Sequence, residues 1–136
     1  MGWLFSSRTR AELIRDLTQS EDHAHASVRV VTHTLRGNVL WSVTEVMAKT
    51  EGVHPDLAPG ESIRYIRCDL LQRSGGGWGY KAMDESMAPY YYSCPLRYLD
   101  MAKELSPSWR EKVRTHHARR RQSVTAMAGG AAGKWE

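Results

Sequence analysis

Residues Val28 to Met47, VRVVTHTLRGNVLWSVTEVM, decide the fold of this chain. Val28 to Leu35 and Val39 to Met47 are rich in Val, Thr, Leu and Trp, which favour strands. Arg36-Gly37-Asn38 between them supplies residue types that tolerate a positive φ, as a tight turn requires. The stretch therefore predicts a β-hairpin.

A second hairpin is predicted from Ile63 to Met83. Ile63 to Arg73 alternates, so that Ile66, Cys68 and Leu70 share one face that suits a core. Gly75 to Gly77 allows the chain to reverse, and Trp78 to Met83 supplies the partner strand. Thr50 to Ser62, with two Gly and two Pro residues, predicts a loop between the hairpins.

Helices are predicted on either side of the hairpins. Thr9 and Glu12 form a capping box, which predicts a helix from Arg10 to Gln19. Asp84 to Pro95 predicts an ordered loop, since Pro89 and Pro95 lack the N–H of a central strand. Two further helices are predicted from Leu96 to Leu105 and from Pro107 to Arg121, the second starting at an N-cap serine.

These elements predict an α+β fold: an antiparallel sheet of two β-hairpins, covered on one face by an N-terminal helix and two C-terminal helices. The length of 136 residues is that of one domain. We predict a single domain over residues 1–122. Half of residues 123–136 are Ala or Gly, and the segment predicts a flexible tail.

Composition excludes several classes of protein. Hydrophobic residues make up 41% and charged residues 25%, which argues against disorder of the body. Two cysteines are too few for a disulfide framework in a chain of this length. The apolar run Met1 to Phe5 is too short for a signal peptide or a membrane span. A cytoplasmic protein without a membrane partner is the expectation.

Positive charge is concentrated near the C-terminus. Ser106 to Arg121 holds six Arg or Lys residues and one Glu, whereas the whole chain has a net charge of +4. This local excess favours a negatively charged partner, either nucleic acid or an acidic protein surface. The alternative is an ordinary solvated helix face. The residues predicted to bind are Arg110, Arg114, His117, Arg119, Arg120 and Arg121.

Trp78 to Pro95, WGYKAMDESMAPYYYSCP, combines aromatic, polar and nucleophilic residues. We predict binding roles for Trp78, Tyr90, Tyr91 and Tyr92, because aromatic rings stack on bases and form hot spots of protein interfaces. Three consecutive tyrosines cannot all face one way. The alternative is therefore that one or two of them pack in the core.

The same stretch leaves an enzyme as an alternative. A small hydrolase or transferase would draw on Lys81, Asp84, Glu85 and Cys94. In an extended segment the side chains of Asp84 and Glu85 point in opposite directions, which disfavours a paired acid and base. No metal-binding motif occurs, and His116 and His117 are neighbours on a helix that cannot chelate one ion well. We expect no metal and no cofactor.

Several segments resemble an uncharacterised family of short proteins encoded by bacterial phages and plasmids. The segments are Leu35 to Ser42, Trp78 to Lys81, Met83 to Met87 and Tyr92 to Pro95, and the resemblance covers about Leu35 to Leu99. Ala88 stands where such families have Gly. The resemblance implies a mobile-element context, in which many small proteins bind and block host defence complexes.

The sequence thus predicts a non-enzymatic protein that binds, and inhibits or modulates, a host protein or nucleoprotein complex. Its contact surfaces would be the basic C-terminal helix and the tyrosine-rich loop. Direct binding of nucleic acid is the first alternative, and the small enzyme is the second.

Overall fold

The computed structural model describes residues 8–82, 84–102, 104–105, 113–115, 117–119 and 121–122. Within these ranges one sheet is built from β1 (Glu21–Asp22), β2 (Ala26–Arg36), β3 (Val39–Ala48), β4 (Ser62–Ser74), β5 (Gly77–Ala82) and β6 (Glu104–Leu105). The helices are α1 (Arg10–Leu17), a 3₁₀ helix (Glu85–Ser93) and α2 (Leu96–Met101). Residues 113–115, 117–119 and 121–122 are also helical. The predicted α+β class is confirmed.

Strands β1 to β5 follow one another across the sheet, each antiparallel to the next. At the β2–β3 turn Arg36 is opposite Val39, and Gly37 has a φ of 63°. Gly75 has a φ of 61° between the register partners Ser74 and Gly77 at the β4–β5 turn. A positive φ at the first central position is what a type II′ turn requires, and its twist matches that of the flanking strands.

The sheet is larger than two separate hairpins. Strand β3 also pairs with β4 along nine residues, from Val39 with Leu70 to Met47 with Ser62. Sequence analysis missed β1 and β6, because a two-residue strand is too short to have a hydrophobic period. Strand β6 runs parallel to β4 and pairs where Tyr65 and Ile66 lie, beyond the end of β5.

The core has two parts, one on each face of the sheet. We define the helical face by Trp41, Val43, Ile66 and Cys68, which are buried against the 3₁₀ helix, α2 and Val113. The opposite face, the α1 face, carries Leu40 and Leu71, which pack against Leu13 of α1. The expected covering of one face is therefore wrong. Strand β3 is apolar at successive residues, Val39 to Trp41, and both of its faces are buried there.

Helix α1 is fastened to the turn end of the sheet. The Arg10 side chain donates to the Gly37 carbonyl at 2.6 Å and to Asn38 Oδ1 at 3.0 Å. The Trp78 amide donates to the Arg8 carbonyl at 2.9 Å. Thr9 and Glu12 form the predicted capping box, and the helix ends at Leu17, two residues before the predicted end.

The C-terminal half departs from prediction in two elements. The expected loop from Asp84 to Pro95 contains the 3₁₀ helix, which consists of two short helices joined across a kink at Met87 and accommodates Pro89. The expected helix from Leu96 to Leu105 ends at Met101, because Ala102 is extended and β6 begins at Glu104. The start of the predicted last helix at Pro107 and the predicted tail over 123–136 lie outside the described residues.

We expect Thr9→Ala to lower the free energy of unfolding by about 1 kcal/mol, because it removes the hydroxyl that accepts from the Glu12 amide at 3.1 Å. Urea denaturation measures this change. Ser62→Ala, at an exposed strand end, is the control with no comparable loss. Equal stability of the two variants would contradict a stabilising role for the capping box.

Candidate functional site

The 3₁₀ helix Glu85–Ser93, termed the tyrosine helix, points its three tyrosines in different directions. Successive side chains of a 3₁₀ helix are about 120° apart, so neighbours of an inward residue point to its two sides. Tyr91 is fully buried and donates its hydroxyl to the Asp84 carbonyl at 2.6 Å. Tyr90 and Tyr92 remain 43% and 37% exposed. The alternative in which part of the triplet packs in the core is confirmed, and Tyr91 is excluded as a contact residue.

A relay of two hydrogen bonds fixes the tyrosine helix on the sheet. The indole N–H of buried Trp41 donates to Ser93 Oγ at 2.8 Å. Ser93 Oγ in turn donates to the Tyr90 carbonyl at 2.8 Å. Tyr90 and Tyr92 are thereby held in place from below, by a residue of the central strand β3.

A pocket of about 850 Å³ opens between the tyrosine helix and the β2–β3 turn. Its size is that of a small-molecule site. Arg36, Val39, Leu70 and Gln72 line it from the sheet, and their registers place all four on the helical face. Its remaining lining residues are Gly37, Asn38, Leu71, Tyr90, Tyr92 and Ser93. The pocket therefore combines aromatic rings, amide groups and a cation over an apolar base.

The C-terminal helical residues lie against the end of the tyrosine helix. Val113 and His117 are buried, and His117 Nε2 lies 2.7 Å from the Cys94 carbonyl oxygen. The prediction that His117 lies on the outer basic face is wrong, because burial and this bond make it an anchor. Arg114, Arg119 and Arg121 are exposed. Arg110 and Arg120 lie outside the described residues.

Trp78 does not join this site, although it lies only twelve residues before Tyr90. It is opposite Arg73 on β5 and packs with Leu13 and Leu40 on the α1 face. The Arg10 guanidinium lies 5.8 Å from its ring centroid. The sheet therefore separates Trp78 from the tyrosines, and its predicted binding role would belong to a different surface.

Three of the four candidate catalytic residues do not line the pocket. None of Lys81, Asp84 and Cys94 lines it, and the side chain of Glu85 lies outside the description. Cys94 is fully buried, and its Sγ lies 3.6 Å from the Pro95 carbonyl oxygen. Asp84 is exposed and contributes its main-chain carbonyl to Tyr91. This arrangement does not support a hydrolase or transferase site in Trp78 to Pro95.

An ion pair on the α1 face, which the sequence patterns did not predict, joins buried Asp69 to exposed Arg67. Asp69 is 1% exposed and accepts from Arg67 Nε at 2.8 Å, while its Oδ1 has no hydrogen-bond partner within the described part of the chain. The Arg67 guanidinium lies 5.8 Å from the Tyr80 ring centroid. Burial raises the pKa of Asp69 above its ordinary value of 3.8, and Arg67 opposes the rise. A carboxylate on a central strand, opposite Leu40, was the available signal.

His23 and His25, which lie between β1 and β2, each contact another side chain. His23 Nε2 lies 2.9 Å from Glu21 Oε2, and His25 Nδ1 lies 3.2 Å from Thr50 Oγ1. Over the described ranges, no three His, Cys, Asp or Glu residues are grouped to hold a metal ion. In the same part of the chain, no helix has the length and apolar character needed to cross a membrane.

Comparison with protein-family models, with curated proteins and with solved structures found no match to the chain. The arrangement of the pocket and its neighbours therefore carries the functional argument.

We expect both thiols to be protected in the folded protein. Cys68 and Cys94 are buried thiols that are not joined in a disulfide, and desolvation raises the pKa of Cys68. With a disulfide reagent at pH 8, neither thiol should react until the chain opens, whereas both should react at once in denaturant. Cys94→Ser and Cys68→Ser assign the signals. Rapid native labelling of Cys94 would restore it as a candidate nucleophile.

Asp69 should make stability fall as the pH rises. A carboxyl whose pKa is raised by folding releases its proton more easily in the unfolded chain, so ionisation favours unfolding above pH 3.8. Relative to wild type, Asp69→Asn should therefore become more stable between pH 3 and pH 7. Urea denaturation across this range measures the difference, with Asp56→Asn in the exposed β3–β4 loop as control. A difference that falls with pH would show that Arg67 dominates the pKa.

Proposed function

We propose that this is a non-enzymatic binding protein that docks on a nucleoprotein complex through its helical layer. We define this layer as the tyrosine helix, α2 and the C-terminal helical residues. The observation that carries the proposal is the buried contact between His117 Nε2 and the Cys94 carbonyl. It joins the basic segment directly to the residue that follows the tyrosine helix.

This contact unites two surfaces that are separate in sequence. Cys94 lies two residues after exposed Tyr92, and His117 lies three residues after exposed Arg114. Val113 belongs to the core of the helical face, and buried His117 contacts the Cys94 carbonyl. The basic segment is therefore held in one position against the sheet. Exposed aromatic and cationic groups thus belong to one layer on one side of the sheet.

The chemistry of the layer favours a partner that contains nucleic acid. Arginines attract phosphates, and exposed tyrosine rings stack on unpaired bases with about 1–3 kcal/mol per base. Tyrosine and arginine are also the residue types of protein hot spots. A nucleoprotein offers both kinds of partner surface. Added salt should weaken binding steeply if phosphate contacts dominate, and much less if a protein surface dominates.

A narrower proposal follows from the resemblance to phage- and plasmid-encoded proteins. In that context the target is a host defence complex, and occupation of its surface blocks it without any reaction. Direct binding of free nucleic acid is the second candidate, favoured by the two exposed tyrosine rings beside the pocket.

We expect the Arg114/Arg119/Arg121→Ala variant to lose most of the nucleoprotein that wild type retains from a bacterial lysate. The variant removes three exposed cations, each of which contributes to phosphate binding. The control Arg15/Arg29/Arg73→Ala removes the same charge from exposed positions outside the helical layer and should retain binding.

Nuclease treatment and added salt separate the candidates. Loss of all bound material on nuclease treatment indicates nucleic acid alone, and a protein complex that survives it indicates a protein surface. If both arginine variants lose the same amount of binding, the loss is due to the change in net charge and not to the helical layer. Absence of any dependence on Arg114, Arg119 or Arg121 would refute the proposed contact surface.

A further inference from the structure

We propose that the pocket beside the tyrosine helix seats one unpaired nucleotide of a single strand. The inference deepens the proposed function by naming the chemical group that the helical layer recognises, and it rests on that function. It assigns a ligand to the 850 Å³ pocket, which the docking proposal leaves open.

The two exposed rings are held ready for stacking. Tyr91 is the inward residue, so Tyr90 and Tyr92 diverge on its two sides and both reach the pocket. The bond from Trp41 to Ser93 and the bond from Ser93 to the Tyr90 carbonyl fix the backbone beneath them. A ligand that stacks here does not have to order the segment first, which reduces the entropic cost of binding.

The base of the pocket is apolar, and its edges carry amide groups. Val39 and Leu70 are register partners on the helical face. Asn38 Oδ1 accepts from Arg10 Nε at 3.0 Å, so this contact fixes the orientation of the Asn38 amide. Gln72 also lines the pocket, and its side-chain amide can donate hydrogen bonds through NH₂ and accept them through its carbonyl oxygen. A flat heterocycle with polar edges fits an apolar base with such a rim.

Cations flank the same row of the sheet. Successive register partners run from Arg36 through Val39 and Leu70 to Lys81, one residue from each of four adjacent strands. At ~4.8 Å per strand, the backbones of Arg36 and Lys81 are about 14 Å apart. A guanidinium has five donors and can contact an anion in addition to other partners. The two cations are placed to contact phosphates on either side of a seated nucleotide.

The described lining residues of the pocket carry no negative charge. Among its described lining residues none is Asp or Glu, whereas Arg36 contributes a positive charge. By contrast, the second pocket, of about 430 Å³, is lined by Asp100 and by the Glu45–Arg64 ion pair at 2.9 Å, so the charges of its described lining residues sum to a negative value. An anionic ligand therefore favours the first pocket.

Fluorescence anisotropy of a labelled single-stranded oligothymidine, titrated with the full chain, tests the inference. Tyr90→Ala and Tyr92→Ala should each weaken binding by about 10-fold, the loss of one base–aromatic stack. Tyr80→Ala is the matched control, since Tyr80 is 44% exposed but lies opposite Leu71 on the α1 face. It should change binding less than ~2-fold.

Two further measurements address the pocket itself. Thymidine monophosphate should compete with the oligonucleotide, and thymidine without phosphate should compete less well. Lys81→Gln should lower the slope of log affinity against log salt by about 1, as expected for one lost phosphate contact. Circular dichroism checks that each variant is folded.

The outcomes distinguish the two proposals. If the oligonucleotide binds but Tyr90→Ala and Tyr92→Ala bind like wild type, the pocket is not the site, and arginine-dependent docking stands. A second outcome is that no oligonucleotide binds, while a nuclease-resistant protein complex is retained by wild type and lost in Tyr90→Ala and Tyr92→Ala. The pocket would then bind a protein side chain, and the inference of a nucleotide site would be wrong. If neither oligonucleotide nor nucleoprotein binds, both proposals fail.

Discussion

The hydrogen bond from Trp41 to Ser93 is the contact on which the functional half of the structure depends. Trp41 is fully buried near the start of the central strand β3, and its indole N–H is satisfied by a hydroxyl 52 residues away in sequence. A buried indole N–H left without an acceptor costs about 1–3 kcal/mol. Satisfying the central strand therefore also sets the position of the tyrosine helix, and with it the pocket.

Both faces of the sheet are used at the turn end, but for different purposes. On the α1 face Leu13, Leu40 and Leu71 close a small apolar cluster, and Arg10 holds the Gly37–Asn38 turn from outside. On the helical face the core lies deeper and the tyrosine helix leaves an opening at the same turn. Because Arg10 of α1 holds the turn from the other face of the sheet, Gly37 and Asn38 have a fixed position at the edge of the pocket.

Sequence patterns predicted the long strands and the first helix, because these depend on local periodicity. The alternation of Ile66, Cys68 and Leu70 correctly identified a core-facing side. Patterns failed where the outcome depends on contacts between distant segments. His117 resembles its basic neighbours in sequence, but its bond to the Cys94 carbonyl places it inside. Trp78 is close to the tyrosines in the chain, yet its register on β5 puts it on the other face.

The site itself was predictable as residue types but not as geometry. The tyrosine triplet predicted a contact surface, whereas the division into one inward and two outward rings depends on the 3₁₀ backbone. Gln72 and Arg36 carried no sequence signal, since each belongs to an alternating strand in which polar residues are ordinary. Strand order alone brings them to the pocket: β2, β3 and β4 are adjacent, so residues 36, 39 and 70 form one row. This row of pocket residues is thus a consequence of the same antiparallel register that builds the core, and a one-residue slip between β3 and β4 would remove both at once.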